Sequence, residues 1–134
     1  MKQKIRTALI IAAIIAIAAF TGLVFFRPIP IVPPGSAATV LFLRYNWEDV
    51  TYTTDLDKVV EILKNYYTRR TFHNPFPTFV ANETWGMTIM RQGGHVTITL
   101  GVDNVLYRSG SDRIWHRIIN PDELMYELSL LLTP

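Results

Sequence analysis

Residues 7–26 read TALIIAAIIAIAAFTGLVFF, twenty positions without a charge, and this run limits what the chain can become. As a helix rising 1.5 Å per residue it spans about 30 Å, the thickness of a bilayer's hydrocarbon core. Its polar side chains are Thr7 and Thr21, whose hydroxyls can bond back to carbonyls of their own helix. It has no polar face, which argues against a helix on the surface of a soluble domain. Lys2, Lys4 and Arg6 precede the run, and only Arg27 follows it closely. The positive-inside rule therefore predicts a cytoplasmic basic flank at 1–6, a transmembrane helix at 7–26 and everything beyond it extracytoplasmic.

A cleaved secretory signal is the rival reading. Its apolar core should run about 7–15 residues and end in a small-x-small site. Ala16-Ile17-Ala18 has that form but lies inside the apolar run, and Ser36-Ala37-Ala38 lies well beyond it, behind four prolines. A third reading makes the segment a contact surface within a membrane complex, because Ala12, Ala13, Ala16, Ala19 and Gly22 include small residues at helical spacing.

The charge follows the same division. Thirteen Lys/Arg oppose eleven Asp/Glu overall, but once Lys2, Lys4, Arg6 and Arg27 are set aside, nine oppose eleven. The basicity belongs to the flanks of one segment and gives no support for nucleic-acid binding. Absence of cysteine excludes disulfides, thiolate metal sites, a cysteine nucleophile and a lipid-attached cysteine.

Residues 27–36 carry four prolines and form a Pro-rich linker, read either as a polyproline II spacer or as a plain helix stop with a disordered connector. Residues 37–134 are long enough for one small core. Residues 39–45 are apolar at nearly every position, which suits a central strand or one covered on both faces. A helix is predicted over 55–67, with Thr54 as its cap and Leu56, Val59, Val60, Leu63 and Tyr67 as its apolar stripe. Residues 69–72 have the character of a short strand. Residues 85–91 and 95–101 then alternate with period two around Gln92-Gly93-Gly94, a hairpin signal. Strands at 105–109 and 113–119 complete a meander of about four. Asn120 as cap, Pro121 at the first position and Glu123 three residues on start a closing helix. The expected fold class is α+β: an antiparallel β-meander sheet with two amphipathic helices on one face, in two layers.

The residues offer little catalytic chemistry. His73, His95 and His116 lack metal-ligand spacing, and only adjacent strands would bring His95 and His116 together. Ser109, Ser111 and Asp112 near His116 have ordinary turn composition, and Glu48-Asp49 reads as a solvated turn. No phosphate-binding glycine motif is present. No catalytic residue, metal ligand or cofactor is therefore assigned. Binding is the better expectation. Arg69 and Arg70 suit an anion such as a lipid head group or wall polymer, or else simply end a helix. His95, Thr97 and Thr99 lie on the solvent-facing side of the sheet. Trp115, with Trp47 and Trp85, is either a sheet or core aromatic or a platform for a carbohydrate or partner.

The strand before Thr54-Asp55-Leu56-Asp57-Lys58-Val59-Val60-Glu61, the basic Thr68-Arg69-Arg70-Thr71 step, and Tyr107-Arg108-Ser109-Gly110 with Arg113-Ile114-Trp115 resemble small, poorly characterised exported or membrane-anchored proteins of Gram-positive bacteria. The resemblance covers about 80 residues. Members of that group often carry a lipid-attachment cysteine, which is absent here, and the group implies no activity and no residue roles. The expectation is a single-pass, non-enzymatic extracytoplasmic module, held in the membrane through 7–26, that binds a protein or cell-envelope ligand and no nucleic acid. The alternative is a small secreted enzyme or enzyme inhibitor released by signal cleavage.

Overall fold

The computed structural model describes residues 1–71, 83–108 and 115–132. Readings that fall on 72–82, 109–114 and 133–134 lie outside the described residues; these include His73, Ser109, Ser111, Asp112 and the Asn74-Pro75-Phe76-Pro77 step. The chain begins with helix α1 (Lys2–Phe25), none of whose residues is buried. Among the described residues it is the one helix long and apolar enough to cross a membrane. The elements that follow are β1 (Ile29–Pro30), β2 (Ala38–Tyr45), β3 (Glu48–Asp49), α2 (Leu56–Leu63), β4 (Tyr67–Thr71), β5 (Trp85–Arg91), β6 (Gly94–Leu100), β7 (Val105–Arg108), β8 (Trp115–Ile118) and α3 (Pro121–Ser129).

The strands form an antiparallel sheet of eight, in the order β1-β4-β8-β7-β6-β5-β2-β3, so the fold is broadly α+β. β5 to β8 are the meander that the alternation predicts. Trp85 stands opposite Leu100, Met87 opposite Ile98 and Ile89 opposite Val96, and all six side chains are buried. Leu106 and Ile118 continue that inner face. Val59, Val60 and Leu63 of α2 and Leu124, Met125 and Leu128 of α3 join the same core.

Three expectations change in the structure. β2 is not covered on both faces: Thr39, Leu41 and Arg44 are exposed. The pairing with β5 shifts between Val40 and Phe42, a bulge that lets Val40 and Leu43 both reach the core at a spacing of three. That is why the strand lacks strict alternation. α2 ends at Leu63 instead of continuing to 67, because Tyr66 turns inward and is buried while Tyr67 opens β4 opposite Pro30. Its cap is Asp55, whose carboxylate accepts from Lys58 N at 3.3 Å. The Thr54 hydroxyl is buried without a hydrogen-bond partner.

The Pro-rich stretch contributes to the core directly. Ile31 and Val32 are 0% and 1% exposed. Ile29 and Pro30 pair with Thr68 and Tyr67, Ile31 N donates to Tyr66 O at 3.0 Å, and the Thr68 hydroxyl donates to Ile29 O at 3.3 Å. Pro30 is tolerated because β1 is an edge strand with no further neighbour to receive an amide.

Three substitutions test this packing by thermal unfolding of the full chain in detergent. Ile31→Ala lowers stability by about 2–5 kcal/mol, as expected for a core aliphatic, whereas the exposed Pro34→Ser changes it little. Gly101→Ala costs about 2–4 kcal/mol, because φ is +82° there and a Cβ would lie 2.0 Å from Glu83 O.

Candidate functional site

Strand alternation divides the described site residues between two faces of the sheet. On β6, Val96, Ile98 and Leu100 point into the core, which leaves His95, Thr97 and Thr99 on the outer face. Across the outer face runs a row in which Arg44 stands opposite Gly86, Gly86 opposite Thr99, Thr99 opposite Val105, Val105 opposite Arg117 and Arg117 opposite Arg69. A second row runs Phe42, Thr88, Thr97 and Tyr107. The Tyr107 and Trp115 rings then meet at 4.9 Å. Arg69, Thr97, Thr99 and Trp115 thus share one face, with His95 further along it. Arg70 does not join them, because neighbouring residues on a strand point to opposite sides.

The outer face is indented over Gly86. A groove of about 300 Å³ is lined by Phe42, Arg44, Trp47, Gly86, Thr88, Thr97, Thr99, Val102 and Asp103, among others. Gly86 leaves room in its floor: the nearest atom to a Cβ added there is Arg44 Cβ, at 3.9 Å. The Arg44 guanidinium lies 5.0 Å from the centroid of the Phe42 ring, an arrangement that pairs the cation with the negative face of the π system. The Thr99 hydroxyl donates to the Asp103 carboxylate, which holds that acceptor at one end of the groove. The wall is therefore mostly apolar, with a cation, a carboxylate and a row of hydroxyls set into it.

The rim of the groove carries the most unusual backbone in the chain. Tyr45 pairs with Glu48, and the two turn residues between them, Asn46 and Trp47, have φ of 46° and 71°. A two-residue hairpin turn with both φ positive normally takes Asn-Gly or Asp-Gly. Asn46 meets the requirement and anchors the turn, its Oδ1 accepting from Thr84 N at 2.9 Å and its N donating to Thr84 O at 2.9 Å. Trp47 does not suit the position: a bulky side chain there is strained. Its indole is 72% exposed, so burial does not offset the strain. Phe42, Arg44 and Gly86 are not among the site residues expected from sequence, and Trp47 enters that expectation only beside Trp85 and Trp115, as a sheet or core aromatic or a platform. The usable signal was the two-residue spacing between Tyr45 and Glu48, but the glycine that normally announces such a turn is missing.

His95 and His116 cannot meet. β7 lies between their strands, and His116, opposite Leu106, is on the inner face. Its imidazole is held below the ordinary value of 6.5 by burial, reinforced by Arg70, Arg91 and Arg108. Among the described residues no three His, Asp or Glu side chains converge as metal ligands.

A second and more open cleft of about 600 Å³ is lined by Pro28, Asn65, Tyr66, Tyr67, Arg69, Ile119, Asn120, Glu123 and Glu127. Burial pushes the Tyr66 phenol up to about 12, with Glu127 and Glu123 adding to the effect. Arg69 shares this cleft with both carboxylates, which compete with any anion for it.

Comparison with protein-family models, with curated proteins and with solved structures gave no match.

Trp47→Gly is expected to raise stability by about 1 kcal/mol, because glycine removes the left-handed penalty; thermal unfolding measures it. The second prediction concerns His116. Its folded-state value is depressed, so the unfolded chain takes up the proton first as pH falls below about 6.5, and stability drops from there until the folded form also protonates. In a pH series of unfolding midpoints, His116→Gln flattens that drop.

Proposed function

We propose that the chain is a single-pass membrane protein that presents a small binding module on the extracytoplasmic side, with the groove over Gly86 as its ligand site. The observation that carries the reading is Trp47. A large aromatic is held in a strained turn and left 72% exposed at the rim of an apolar groove, at a cost to stability that a purely structural role does not repay. Trp and Arg are among the side chains that most often dominate binding energy, and Trp47 and Arg44 both line this depression. The ligand is a protein or cell-envelope component with an apolar group for Trp47 and Phe42 and polar groups for Arg44, Thr88, Thr97 and Asp103. In this reading α2 and α3 form one layer over the inner face, as amphipathic helices in a two-layer domain, and leave the outer face for the ligand.

Membrane anchoring through residues 7–26 is supported by the length and apolarity of α1 and by the three basic residues before the run. Signal cleavage after Ala38 is disfavoured by the core: it would remove β1 and the buried Ile31 and Val32. A likeness to membrane-anchored proteins of Gram-positive bacteria is consistent with the same placement.

Photocrosslinking tests the site. A photoreactive residue at Thr97 or Thr99 is expected to give a discrete adduct in intact cells that make the protein, and Trp47→Ala to weaken its formation by about thirtyfold. Gly86→Val, whose Cβ would meet nothing nearer than Arg44 Cβ at 3.9 Å and whose methyls enter the groove, should do the same, with thermal unfolding as the control for folding. Background labelling in the parent chain overturns the binding site. Because the chain has no cysteine, Ser111→Cys gives a single reporter for a membrane-impermeant thiol reagent. Labelling from outside the cell is expected, and protection from it overturns the topology.

A further inference from the structure

The residue types in the groove over Gly86 narrow its ligand to one class. Trp47 and Phe42 give it apolar surface, and Arg44, Thr88, Thr99 and Asp103 set polar groups into that surface. The Arg44 guanidinium lies 5.0 Å from the centroid of the Phe42 ring, so the phenyl ring holds the cation in place. Trp47, 72% exposed, is the ring that a ligand can cover. Gly86 has no side chain to stand in the way, and a Cβ there would first meet Arg44 Cβ at 3.9 Å, so a ligand can come down to the backbone of β5. The Thr99 hydroxyl donates to Asp103, which fixes that carboxylate before any ligand arrives.

Both signs of charge line the same wall. Among the described residues Arg44 is its cation and Asp103 its carboxylate. Arg44 also stands opposite Asp49 across the β2–β3 pair. An anion drawn to Arg44 therefore meets carboxylates, and a cation drawn to Asp103 meets Arg44, so a charged ligand gains little. A wholly apolar group, such as a leucine side chain from a protein partner, would take Arg44, Thr88 and Asp103 out of water without returning their hydrogen bonds, at about 1–3 kcal/mol for each. A neutral molecule with one apolar face and a rim of hydroxyls meets every requirement. A pyranose ring has that form: its C–H bonds gather on one face and pack on an aromatic ring. Asp103 only accepts and Arg44 only donates, whereas a sugar hydroxyl does either. The guanidinium fork also spans two neighbouring oxygens. At about 300 Å³ the groove lies at the small end of ligand sites, the scale of about one or two sugar rings.

We propose that the groove binds a neutral pyranose unit of a glycan, with the sugar's C–H face on Trp47 and its hydroxyls on Asp103, Arg44 and Thr88. The inference rests on the groove being the ligand site, as proposed above, and names the class of ligand for it. Trp47 supplies the stacking surface, Asp103 the acceptor and Arg44 the paired donors. A protein partner is the competing outcome.

The test is the composition of the photocrosslinked adduct. The full chain with a photoreactive residue at Thr97 is irradiated in intact cells that make it, and the purified adduct is divided. One part is hydrolysed in acid and its sugars are read by chromatography; the other is digested with protease and its peptides are read by mass spectrometry. Neutral hexose or hexosamine, in molar proportion to the adduct, is expected. Trp47→Ala should lower the sugar yield about thirtyfold, and Asp103→Asn, which keeps an oxygen for Thr99 but loses the charge, about tenfold. Thermal unfolding checks that both variants fold. Trp47→Tyr keeps a flat ring and should retain the yield within about threefold. Arg117→Gln, exposed and outside the groove, should leave it unchanged. A foreign peptide in the adduct with no sugar overturns the glycan and leaves the groove as a protein site. Acidic sugar alone overturns the neutral class. A sugar yield that Trp47→Ala and Asp103→Asn leave unchanged, or that Arg117→Gln lowers equally, shows chance trapping of nearby glycan and overturns the proposal. No adduct at all overturns the groove and the glycan together.

Discussion

The attachment of residues 29–32 to β4 is the constraint on which the rest of the arrangement depends. The β1–β4 pairing holds it, together with hydrogen bonds from Ile31 N to Tyr66 O, from the Thr68 hydroxyl to Ile29 O, and from Arg91 to Ile31 O. Two fully buried side chains lock it from below. A flexible connector would let the domain take any attitude relative to α1. With this segment built into the sheet, only Phe26, Arg27 and Pro28 separate the last turn of α1 from the first strand. The relation between the apolar helix and the two sheet faces is then a property of the fold.

The two faces of the sheet differ in chemistry. The inner face is aliphatic through its centre and cationic at one end, and the outer face carries hydroxyls, aromatics and the groove. Alternation in β5 and β6 enforces this separation, since a register slip of one residue would exchange Ile98 with Thr97 or Thr99. The strained Trp47 belongs to the same economy. Glycine there would remove the left-handed penalty, so the exposed indole is held against the local backbone preference.

Much of the architecture was legible because its signals are local. The uncharged run, the period-two strands around Gln92-Gly93-Gly94 and Pro121 at the start of α3 each carry their own physics within a few residues. What escaped depends on partners distant in sequence. Four prolines read as a linker, yet Tyr66 and Thr68, more than 30 residues on, turn that stretch into an edge strand. The bulge in β2 has no glycine to mark it, and the end of α2 is decided by burial of Tyr66. The site was half visible. Thr97 and Thr99 follow from alternation, but the groove needs Gly86 and Arg44 alongside Thr99, a cross-strand register that no single segment encodes. Arg69 and Arg70 are adjacent in sequence and on opposite sides of the sheet, so a basic pair that looked like one feature is two.

The sheet ends at either side in a strand of two residues, one bearing a proline and the other Glu48 and Asp49. Long unpaired margins invite neighbouring copies to add their own strands and grow into fibrils. That hazard rises with local concentration. Clipped, proline-bearing or acidic margins let the domain be crowded without polymerising.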